Sequence, residues 1–384
     1  MSVAASGEAM KIAYLAQSTI PSATANSVHV MKMCAGFAAN GHRPVLFAAR
    51  DEHHEDERSD AFAYYALPPT FDLVRFPASV GARRILRLPA LRRAVRAAAP
   101  ELCYARDPVT LLVASVPAVP LILELHDLPK ARSVGGKARR LAIEALSLSR
   151  RLVRVVCITQ ALAEDVCAQW PRLRRRVLVC PDGADAFQGD DSPLPADWRG
   201  RPGALQAVYV GQLYEGRGMP LLVELARRLP EIDFHIVGGD AGAVRAVAET
   251  ASGTGNLHLY GHRAHGGLAH YFAAADLLLA PYQARVAVAG NRGDTSRYMS
   301  PLKIFEYMAA GKAIVCSDLP VLREVLTPGK EAMLVPPDDA AAWEQAIRQL
   351  AASEALRQEL GARARRELES RYTWRKRAER VLAF

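Results

Sequence analysis

Apolar runs of strand length alternate with helical patterns along most of the chain. Six such runs fall in the first half and six in the second. They are Ile12–Ala16, Pro44–Ala49, Leu102–Tyr104, Pro120–Leu125, Leu152–Ile158 and Val177–Val179, then Gln206–Val210, Phe234–Val237, Leu257–Tyr260, Leu277–Ala280, Ala313–Cys316 and Ala332–Val335. Continuous apolar strands with helices between them are typical of parallel sheets covered on both faces. The pattern predicts an α/β protein with two doubly wound domains.

A polar, proline-rich connector, Gln188–Pro195, separates the two halves. The final segment begins with a threonine cap at Thr373 and places Trp374, Ala378 and Val381 on one face of a helix. We expect a first domain over 11–187, a linker over 188–203, a second domain over 204–370, and a C-terminal helix over 371–384 that packs back towards the first domain. The arginines from Arg83 to Arg96 lie on a helix-like segment. In the first βα unit, Val30, Cys34, Phe37 and Ala38 fall on one helix face, and Ala25–Ser27 is interpreted as the cap of that helix.

The residues that follow the strands are the first place to look for chemistry, because ligands of such sheets bind beyond the carboxyl ends of the strands. His126 and Asp127 follow the fourth strand, where a structural and a functional histidine are both plausible interpretations. Gly211 and Gln212 begin a glycine-rich segment that reaches Arg217. This segment is either a simple βα turn or a phosphate-contacting loop that presents Arg217.

A complete short helix is predicted from Ser300 to Gly311. Ser300 suits the N-cap, Pro301 the first helical position, and Gly311 the C-terminal stop. Lys303 and Glu306 lie one turn apart in this otherwise apolar segment. They are either a local ion pair on a core helix or part of a site for a phosphate joined to a hydroxyl-bearing group.

Composition narrows the class of protein. The 384 residues are 50% hydrophobic and 23% charged, as expected for two globular domains. No apolar run approaches the roughly 20 residues that span a bilayer, and Met1–Gly7 lacks the features of a signal peptide. Six scattered cysteines without a C-x-x-C pair indicate reduced thiols. We therefore expect a cytoplasmic protein.

The net charge of +9 is compatible with nucleic acid, an anionic membrane surface or anionic small substrates. The basic residues cluster at Arg83, Arg84, Arg87, Arg92, Arg93 and Arg96, and at Lys130, Arg132, Lys137, Arg139 and Arg140. No aromatic interleaving or zinc-finger spacing accompanies them, which disfavours nucleic acid. A merely solvated face is the commonest explanation of such clusters. The acidic and histidine-containing stretch Asp51–Glu57 lacks helical ligand spacing and is interpreted as solvated surface rather than a metal site.

Taken in order, the motifs resemble those of the retaining nucleotide-sugar glycosyltransferases of family 4, whose GT-B fold has two Rossmann-like domains facing a central cleft. The matching segments are Ala25–Val30, Glu124–Asp127, Pro181–Asp185, Gly211–Gly218, Gly261–Arg263, Ser300–Gly311 and Tyr372–Trp374. The resemblance covers nearly the whole chain. Each motif is weak alone, and the ordered set is specific.

The resemblance implies a role for each matching residue. His126 would lie near the reacting carbon of the donor sugar, Arg217 would neutralise the diphosphate, and Glu306 would bind the ribose hydroxyls. Together with Lys303 these form the expected catalytic set. The implied donor-binding set is Asn26, Ser27, Gly211, Gln212, Arg217, Gly261, His262, Arg263, Tyr298, Ser300, Pro301, Leu302, Lys303 and Glu306. Two positions depart from the family pattern, since Tyr298 replaces a glutamate and Gln212 replaces an arginine.

The implied reaction moves a sugar from a nucleotide-diphosphate sugar to the hydroxyl of a saccharide or lipid-linked acceptor, in cell-surface polysaccharide or glycolipid synthesis. No cofactor and no metal are expected, and the absence of an Asp-x-Asp motif agrees with this. A peripheral contact with anionic lipid at the inner face of the membrane would account for the basic clusters. A nucleotide-sugar 2-epimerase of the same fold, or a non-catalytic basic binding protein, remain the alternatives.

Overall fold

The computed structural model describes residues 8–50, 60–77, 88–130, 133–189, 192–287 and 293–384. They form two compact units. The first unit is Met1–Asp182 together with Trp374–Phe384, and the second is Gly183–Thr373. The Asp51–Glu57 stretch, the basic residues Arg83, Arg84, Arg87 and Arg132, the segment Met1–Gly7 and two residues of the connector, 190 and 191, lie outside the described residues.

The first unit is built on a parallel sheet of seven strands in the order β3-β2-β1-β4-β5-β6-β7. Its strands are β1 Lys11–Thr19, β2 Arg43–Arg50, β3 Asp72–Pro77, β4 Leu102–Ala105, β5 Leu121–Leu125, β6 Leu152–Cys157 and β7 Val177–Val179. Its helices are α1 Ala25–Ala39, α2 Ala61–Tyr64, α3 Leu88–Ala97, α4 Pro108–Ala114, α5 Val134–Leu148, α6 Gln160–Gln169 and, at the C-terminus, α13 Trp374–Leu382. A 3-10 turn spans Pro171–Leu173.

The second unit has a parallel sheet of six strands in the order β10-β9-β8-β11-β12-β13. The strands are β8 Leu205–Val210, β9 Ile232–Val237, β10 Leu257–Gly261, β11 Leu277–Ala280, β12 Ala313–Ser317 and β13 Met333–Val335. The helices are α7 Met219–Arg228, α8 Ala241–Thr250, α9 Leu268–Ala273, α10 Leu302–Ala310, α11 Ala340–Ala351 and α12 Glu354–Arg371, with a 3-10 turn at His265–Gly267. Separate apolar clusters around Phe305 and Trp343 form the core.

Each of the twelve predicted runs lies on an observed strand, and the prediction of two doubly wound α/β units is confirmed. Strand β3 was not predicted. It is an edge strand of alternating burial that carries Asp72, Arg75 and Pro77, so it lacks the continuous apolar run of a central strand.

Of the face predicted for helix α1, Val30, Cys34 and Phe37 are fully buried and Ala38 is half-buried. Its cap differs from the expected Ala25–Ser27 segment. Thr24 is the N-cap, because its backbone is extended and its hydroxyl accepts the Ser27 N–H. The expected cap was wrong by one residue.

The C-terminal helix α13 packs against α1. Gly36 permits the close approach, since a Cβ there would lie 2.5 Å from the Trp374 carbonyl oxygen. Asn40, which follows α1, donates through Nδ2 to the Arg375 carbonyl at 2.8 Å. Packing against α1 thus fixes the position of α13 within the first unit.

Two further observations concern the class of protein. None of the helices in the described part of the chain is long and apolar enough to cross a membrane. All six cysteines are unpaired and five of them are buried, in agreement with the expectation of reduced core thiols.

Candidate functional site

In the second unit, the loop after β8 and the start of α10 meet at the carboxyl end of the sheet. Lys303 Nζ lies 3.6 Å from the centre of the Tyr209 ring. Gly211 passes directly over it with φ at +147°, and a Cβ at Gly211 would lie 2.7 Å from Nζ. Only glycine has both the conformation and the small size that this approach needs.

Two cationic side chains, buried Lys303 and half-buried Arg217, face this loop, and no ion pair joins either of them to a described residue. The centre of the Tyr282 ring lies 5.2 Å from both the Arg217 guanidinium carbon and Lys303 Nζ. Lys303 Nζ and Arg217 Nε are buried, and neither donates a hydrogen bond within the described ranges. Burial, and then the neighbouring Arg217, hold the pKa of Lys303 well below its usual value. The arrangement is suited to receive an anion.

Helix α10 begins one residue later than predicted. Pro301 is the N-cap, with φ −74° and ψ 120°, and its side chain makes no capping hydrogen bond. The expectation that Ser300 caps the helix and Pro301 occupies its first turn was wrong, because the extended ψ of Pro301 delays the first helical residue to Leu302. The N–H groups of that first turn have no intrahelical acceptor and lie at the positive end of the helix dipole. Gly311 ends the helix in the left-handed conformation, as predicted.

Glu306 lies one turn further along α10 and does not form the local pair with Lys303 that was considered. Among the described residues it contacts His265, whose Nδ1 is 3.7 Å from Glu306 Oε1. The Glu306 side chain is 19% exposed, so a ligand hydroxyl can reach it. His265, in a 3-10 turn after β10, was not predicted and has no sequence motif around it.

The remaining predicted residues of the second unit have different surroundings. Arg263 donates through Nε to the Tyr271 hydroxyl at 3.0 Å, and its guanidinium also bonds Asp197. Gln212 accepts a hydrogen bond from the Tyr209 hydroxyl through its backbone carbonyl. Half-buried Tyr298 has the Arg297 guanidinium 5.7 Å from its ring centre. Gly261 ends β10 in the left-handed conformation, and exposed His262 follows it.

In the first unit, a buried cluster of charged residues surrounds Glu124 at the end of β5. His126 Nε2 and the Tyr104 hydroxyl both bond the Glu124 carboxylate. His29 Nε2 lies 2.8 Å from the same carboxylate, and His29 Nδ1 lies 3.0 Å from Asp182. Arg377, from α13, contacts Glu124 at 3.1 Å.

The electrostatics of the cluster set the protonation of His126. Burial alone would raise the pKa of Glu124, but Arg377 and then His29 outweigh it, so that pKa is well below its usual value. Burial and the nearby Arg106 lower the pKa of His126 to about 4. His126 is therefore neutral near pH 7. Because ionised Glu124 can only accept, Nε2 carries the hydrogen and Nδ1 is the acceptor nitrogen.

Asn26 and Ser27 also belong to the first unit. Asn26 Oδ1 accepts a hydrogen bond from Arg106, the residue whose charge lowers the pKa of His126. The Ser27 hydroxyl donates to the Ser22 and Thr24 carbonyls at 2.7 and 2.8 Å, which holds the turn before α1. The structure thus groups Asn26 with His126, and groups Gly211, Arg217, Lys303 and Glu306 in the second unit.

Among the described residues, two sets of side chains have the composition of metal sites. His29, Glu124, His126 and Asp182 bring one ligand atom each within 4.8 Å of one another. The Arg377 guanidinium, however, already lies 3.1 Å from Glu124 and 3.7 Å from Asp182, where it balances their charge. The second set is Asp233, His235 and His258. His235 uses both ring nitrogens, with the Tyr260 hydroxyl and Gln206, which leaves it no atom for a metal.

Several residues of these clusters were missed from the sequence. They are His29, Tyr104, Arg106, Asp182, Tyr209, His265, Tyr282 and Arg377. Arg377 could have been found, since it lies on the apolar face of α13 between Trp374 and Val381, where an isolated arginine needs a buried partner. Glu124 gives the same signal as a carboxylate inside an apolar strand.

Comparison with known proteins gives matches across both units. A family model described as Glycosyltransferase Family 4 matches residues 27–187, and one described as Glycosyl transferases group 1 matches 204–353. A phosphatidyl-myo-inositol mannosyltransferase of Mycolicibacterium smegmatis is 29% identical over 225 residues, 56% of this chain and 54% of the relative. The protein of that name from Mycobacterium tuberculosis is 31% identical over 183 residues, 45% of this chain and 44% of the relative. The chain therefore matches about half the length of these relatives.

Solved structures share the fold over almost the whole chain. A sucrose-phosphate synthase from Thermosynechococcus elongatus is 19% identical with a TM-score of 0.68, and the match covers 97% of each chain. Anabaena HepE in complex with UDP and glucose is 18% identical with a TM-score of 0.68, covering 97% of this chain and 98% of that one. WaaG, a glycosyltransferase involved in lipopolysaccharide biosynthesis, is 14% identical with a TM-score of 0.67, covering 97% and 100%.

Proposed function

Because the chain belongs to the glycosyltransferases of family 4 and group 1 and has their GT-B fold, we propose that it transfers a sugar from a nucleotide-diphosphate sugar to an acceptor hydroxyl. We propose further that the configuration at the sugar's reacting carbon is retained. The observation that supports donor binding most directly is the pair of cations, buried Lys303 and half-buried Arg217, whose Nζ and Nε atoms are buried and have no hydrogen-bond partner among the described residues.

A diphosphate fits this arrangement because its charge supplies what the two cations lack. During transfer, negative charge develops on the β-phosphate as the sugar leaves. Lys303, Arg217 and the first turn of α10 would stabilise that charge without reorganisation. These groups supply positive charge that other enzymes take from a divalent cation, so the proposed reaction needs neither metal nor cofactor. Glu306 is proposed to accept hydrogen bonds from the ribose hydroxyls.

His126 is proposed to position the sugar rather than to attack it. Its ring is neutral near pH 7, and Nδ1 is available to accept a hydrogen bond from a sugar hydroxyl. In the proposed same-face attack, the acceptor oxygen bonds to the reacting carbon as the bond to the β-phosphate breaks, and the departing phosphate takes the acceptor proton. Because Tyr298 and Gln212 differ from the usual family residues, we propose that both affect which donor the protein binds.

The acceptor is proposed to be a saccharide or a lipid-linked hydroxyl, in glycolipid or cell-surface polysaccharide synthesis on the cytoplasmic side of a membrane. The names of the mannosyltransferase relatives support a lipid-linked acceptor. Arg92, Arg93 and Arg96 are exposed on α3 and supply positive charge for a peripheral contact with anionic lipid. Co-sedimentation with vesicles that is insensitive to anionic lipid would contradict the membrane part of the proposal.

The first experiment is a thermal-shift screen with UDP-, GDP-, ADP- and CMP-sugars, since a bound donor stabilises the folded state. Lys303→Met and Arg217→Ala should weaken binding of the selected donor about 10- to 100-fold each, because a hydrogen bond to a charged group contributes about 1.5–3 kcal/mol. Lys312→Met is the matched control, since Lys312 donates to the Ala273 carbonyl and lies at the far end of α10. Donor binding that survives both substitutions would refute the assignment.

The same preparation separates the alternative functions. An epimerase would convert the nucleotide sugar with no acceptor present, whereas the proposed transferase needs an acceptor to form product. A non-catalytic binding protein would show no nucleotide-sugar affinity and steeply salt-dependent binding to a polyanion.

A further inference from the structure

Helix α5 carries an apolar seam that its own unit does not cover. Val134, Leu141 and Leu148 are 87%, 71% and 63% exposed. Exposed Ala138 and Ala145 lie between them, so the five residues follow one another at steps of four, three, four and three. That spacing keeps them on one face of a helix and is the repeat by which two helices pair.

The seam is separate from the face by which α5 joins the first unit. Ile143 and Leu146 are fully buried on that other face. A surface helix ordinarily has polar residues opposite its buried face. Three large exposed apolar side chains in one line are instead typical of an interaction surface.

The charges beside the seam indicate what covers it. Lys137 and Glu144 are exposed, seven residues apart, and border the same edge of the seam. When two copies of such a helix pair in antiparallel orientation about a two-fold axis, this edge of one helix meets the same edge of the other. Lys137 of each copy then faces Glu144 of the other. In a parallel pair, the Lys137 and Glu144 edge of one copy would instead meet the other edge of the second copy's seam. Gly135 and Ala142 on that edge carry no charge.

The apolar residues fit the same register. With Lys137 opposite Glu144 of the second copy, Leu141 packs against Ala138 of the second copy, and Val134 packs against Ala145 of the second copy. Each of these large side chains meets a small one, which allows the helices to approach closely. Helix α4 packs beside α5 and adds Leu112 and Val113, which are 42% and 38% exposed. We propose that the chain forms an antiparallel homodimer through the α5 seam.

A membrane fits this surface less well than a second copy. An interfacial helix carries basic residues along both borders of its apolar face. Here Glu144 lies on the border, Arg139 pairs with Asp127 at 2.9 Å, and Arg140 bonds Gln169 and stacks on Trp170. The pair of Glu144 with Arg172 is 3.4 Å long and its side chains are 50% and 66% exposed, so Glu144 remains accessible to a partner.

The test measures mass by sedimentation velocity over a wide range of protein concentration. The wild-type chain should shift from monomer to dimer, and Leu141→Glu should abolish the shift. Lys137→Glu should weaken the dimer roughly tenfold, because it changes two symmetry-related pairs. The combination Lys137→Glu with Glu144→Lys should restore the affinity, since it only exchanges the two charges. Lys376→Glu, on α13, is the control for net charge.

Three outcomes would overturn the proposal. One is a wild-type chain that stays monomeric at every concentration, and another is a dimer that Leu141→Glu leaves intact. The third is a charge exchange that does not rescue, which would exclude the antiparallel register. Vesicle flotation interprets the first of these outcomes: if the wild-type chain stays monomeric and binds vesicles, and Leu141→Glu loses that binding, the seam contacts lipid and not a second copy. Urea unfolding of each variant checks that these exposed substitutions leave the fold intact.

Discussion

Replacing Arg377 by methionine is expected to destabilise the first unit more than any surface substitution on α13. The guanidinium contacts Glu124 at 3.1 Å and donates to the carbonyls of Pro181 and Cys180 at 2.8 and 3.3 Å. Methionine keeps an unbranched apolar side chain in the space but supplies none of these donors. The carboxylate of Glu124 then remains buried with less positive charge around it.

The magnitude follows from burial. The side chain of Arg377 is 1% exposed and that of Glu124 is 0% exposed. Removing one partner from a pair buried this deeply costs about 3–5 kcal/mol, because the remaining charge cannot be solvated. The two carbonyls lose a donor as well, at about 1 kcal/mol each, although such losses are not additive within one network. We expect a loss of about 3–5 kcal/mol, a large share of the roughly 5–15 kcal/mol typical of a domain.

Urea unfolding followed by circular dichroism measures the loss, and hydrogen exchange of backbone amides assigns it to the first unit if the two units unfold separately. Arg380→Met is the matched control, since Arg380 lies one turn away on α13 and donates to a single carbonyl, that of Val179. It should lose about 1 kcal/mol. Adding Glu124→Gln to Arg377→Met should recover part of the loss. If Arg377→Met costs no more than the control, the pair does not stabilise the unit as argued.

Two further changes test the site in the second unit and the pH dependence of stability. Lys303→Met should stabilise the unliganded protein against urea by about 1 kcal/mol, because burying the amine without a hydrogen bond costs about 1–3 kcal/mol and the Tyr209 ring offsets about 1–2 kcal/mol of that cost. The control Lys312→Met should not stabilise the protein. If Lys303→Met destabilises it instead, the amine has a structural partner. The pKa of His126 is near 6.5 in the unfolded chain and about 4 in the folded protein. Its contribution to stability is therefore fully present above pH 6.5, and up to about 3 kcal/mol is lost as the pH falls towards 4. His126→Gln should reduce the change in the free energy of unfolding, measured with urea, across that pH window. His262→Gln, at an exposed histidine, should leave the pH dependence unchanged.

The regular part of the fold could be predicted from the sequence because hydrophobic burial dictates it locally. Strands such as β5 and β11 are buried on both faces and therefore read as uninterrupted apolar runs. Edge strand β3 pairs with one neighbouring strand and needs no such run, so it was not predicted. The caps at Thr24 and Pro301 were each displaced by one residue, because neighbouring residues compete for the cap and backbone angles decide between them.

The candidate site was predictable where one short segment carries it. Lys303 and Glu306 lie on one helix, and Gly211 and Arg217 lie in one loop, so their order along the chain preserves their relation in space. The Glu124–Arg377 pair joins residues 253 positions apart. No local pattern specifies such a pair. Only the buried location of each charge, in a strand and on the packed face of α13, indicates that a partner must exist.

The cluster around Glu124 and the cluster around Lys303 differ in how they balance buried charge. This difference distinguishes a structural role from a binding role. Arg377 is buried among acidic neighbours, and although burial opposes it, Glu124 and Cys180 raise its pKa above the usual value. Lys303 is buried against another cation, and its pKa falls. The first arrangement is neutral without any ligand, so it can serve the fold. The second lacks negative charge in hydrogen-bonding contact with the amine, and the proposed donor diphosphate would offset the cost of burying it. An unbalanced cation at a glycine loop and a helix start is therefore expected at a binding site, whereas the balanced pair holds His126 in place.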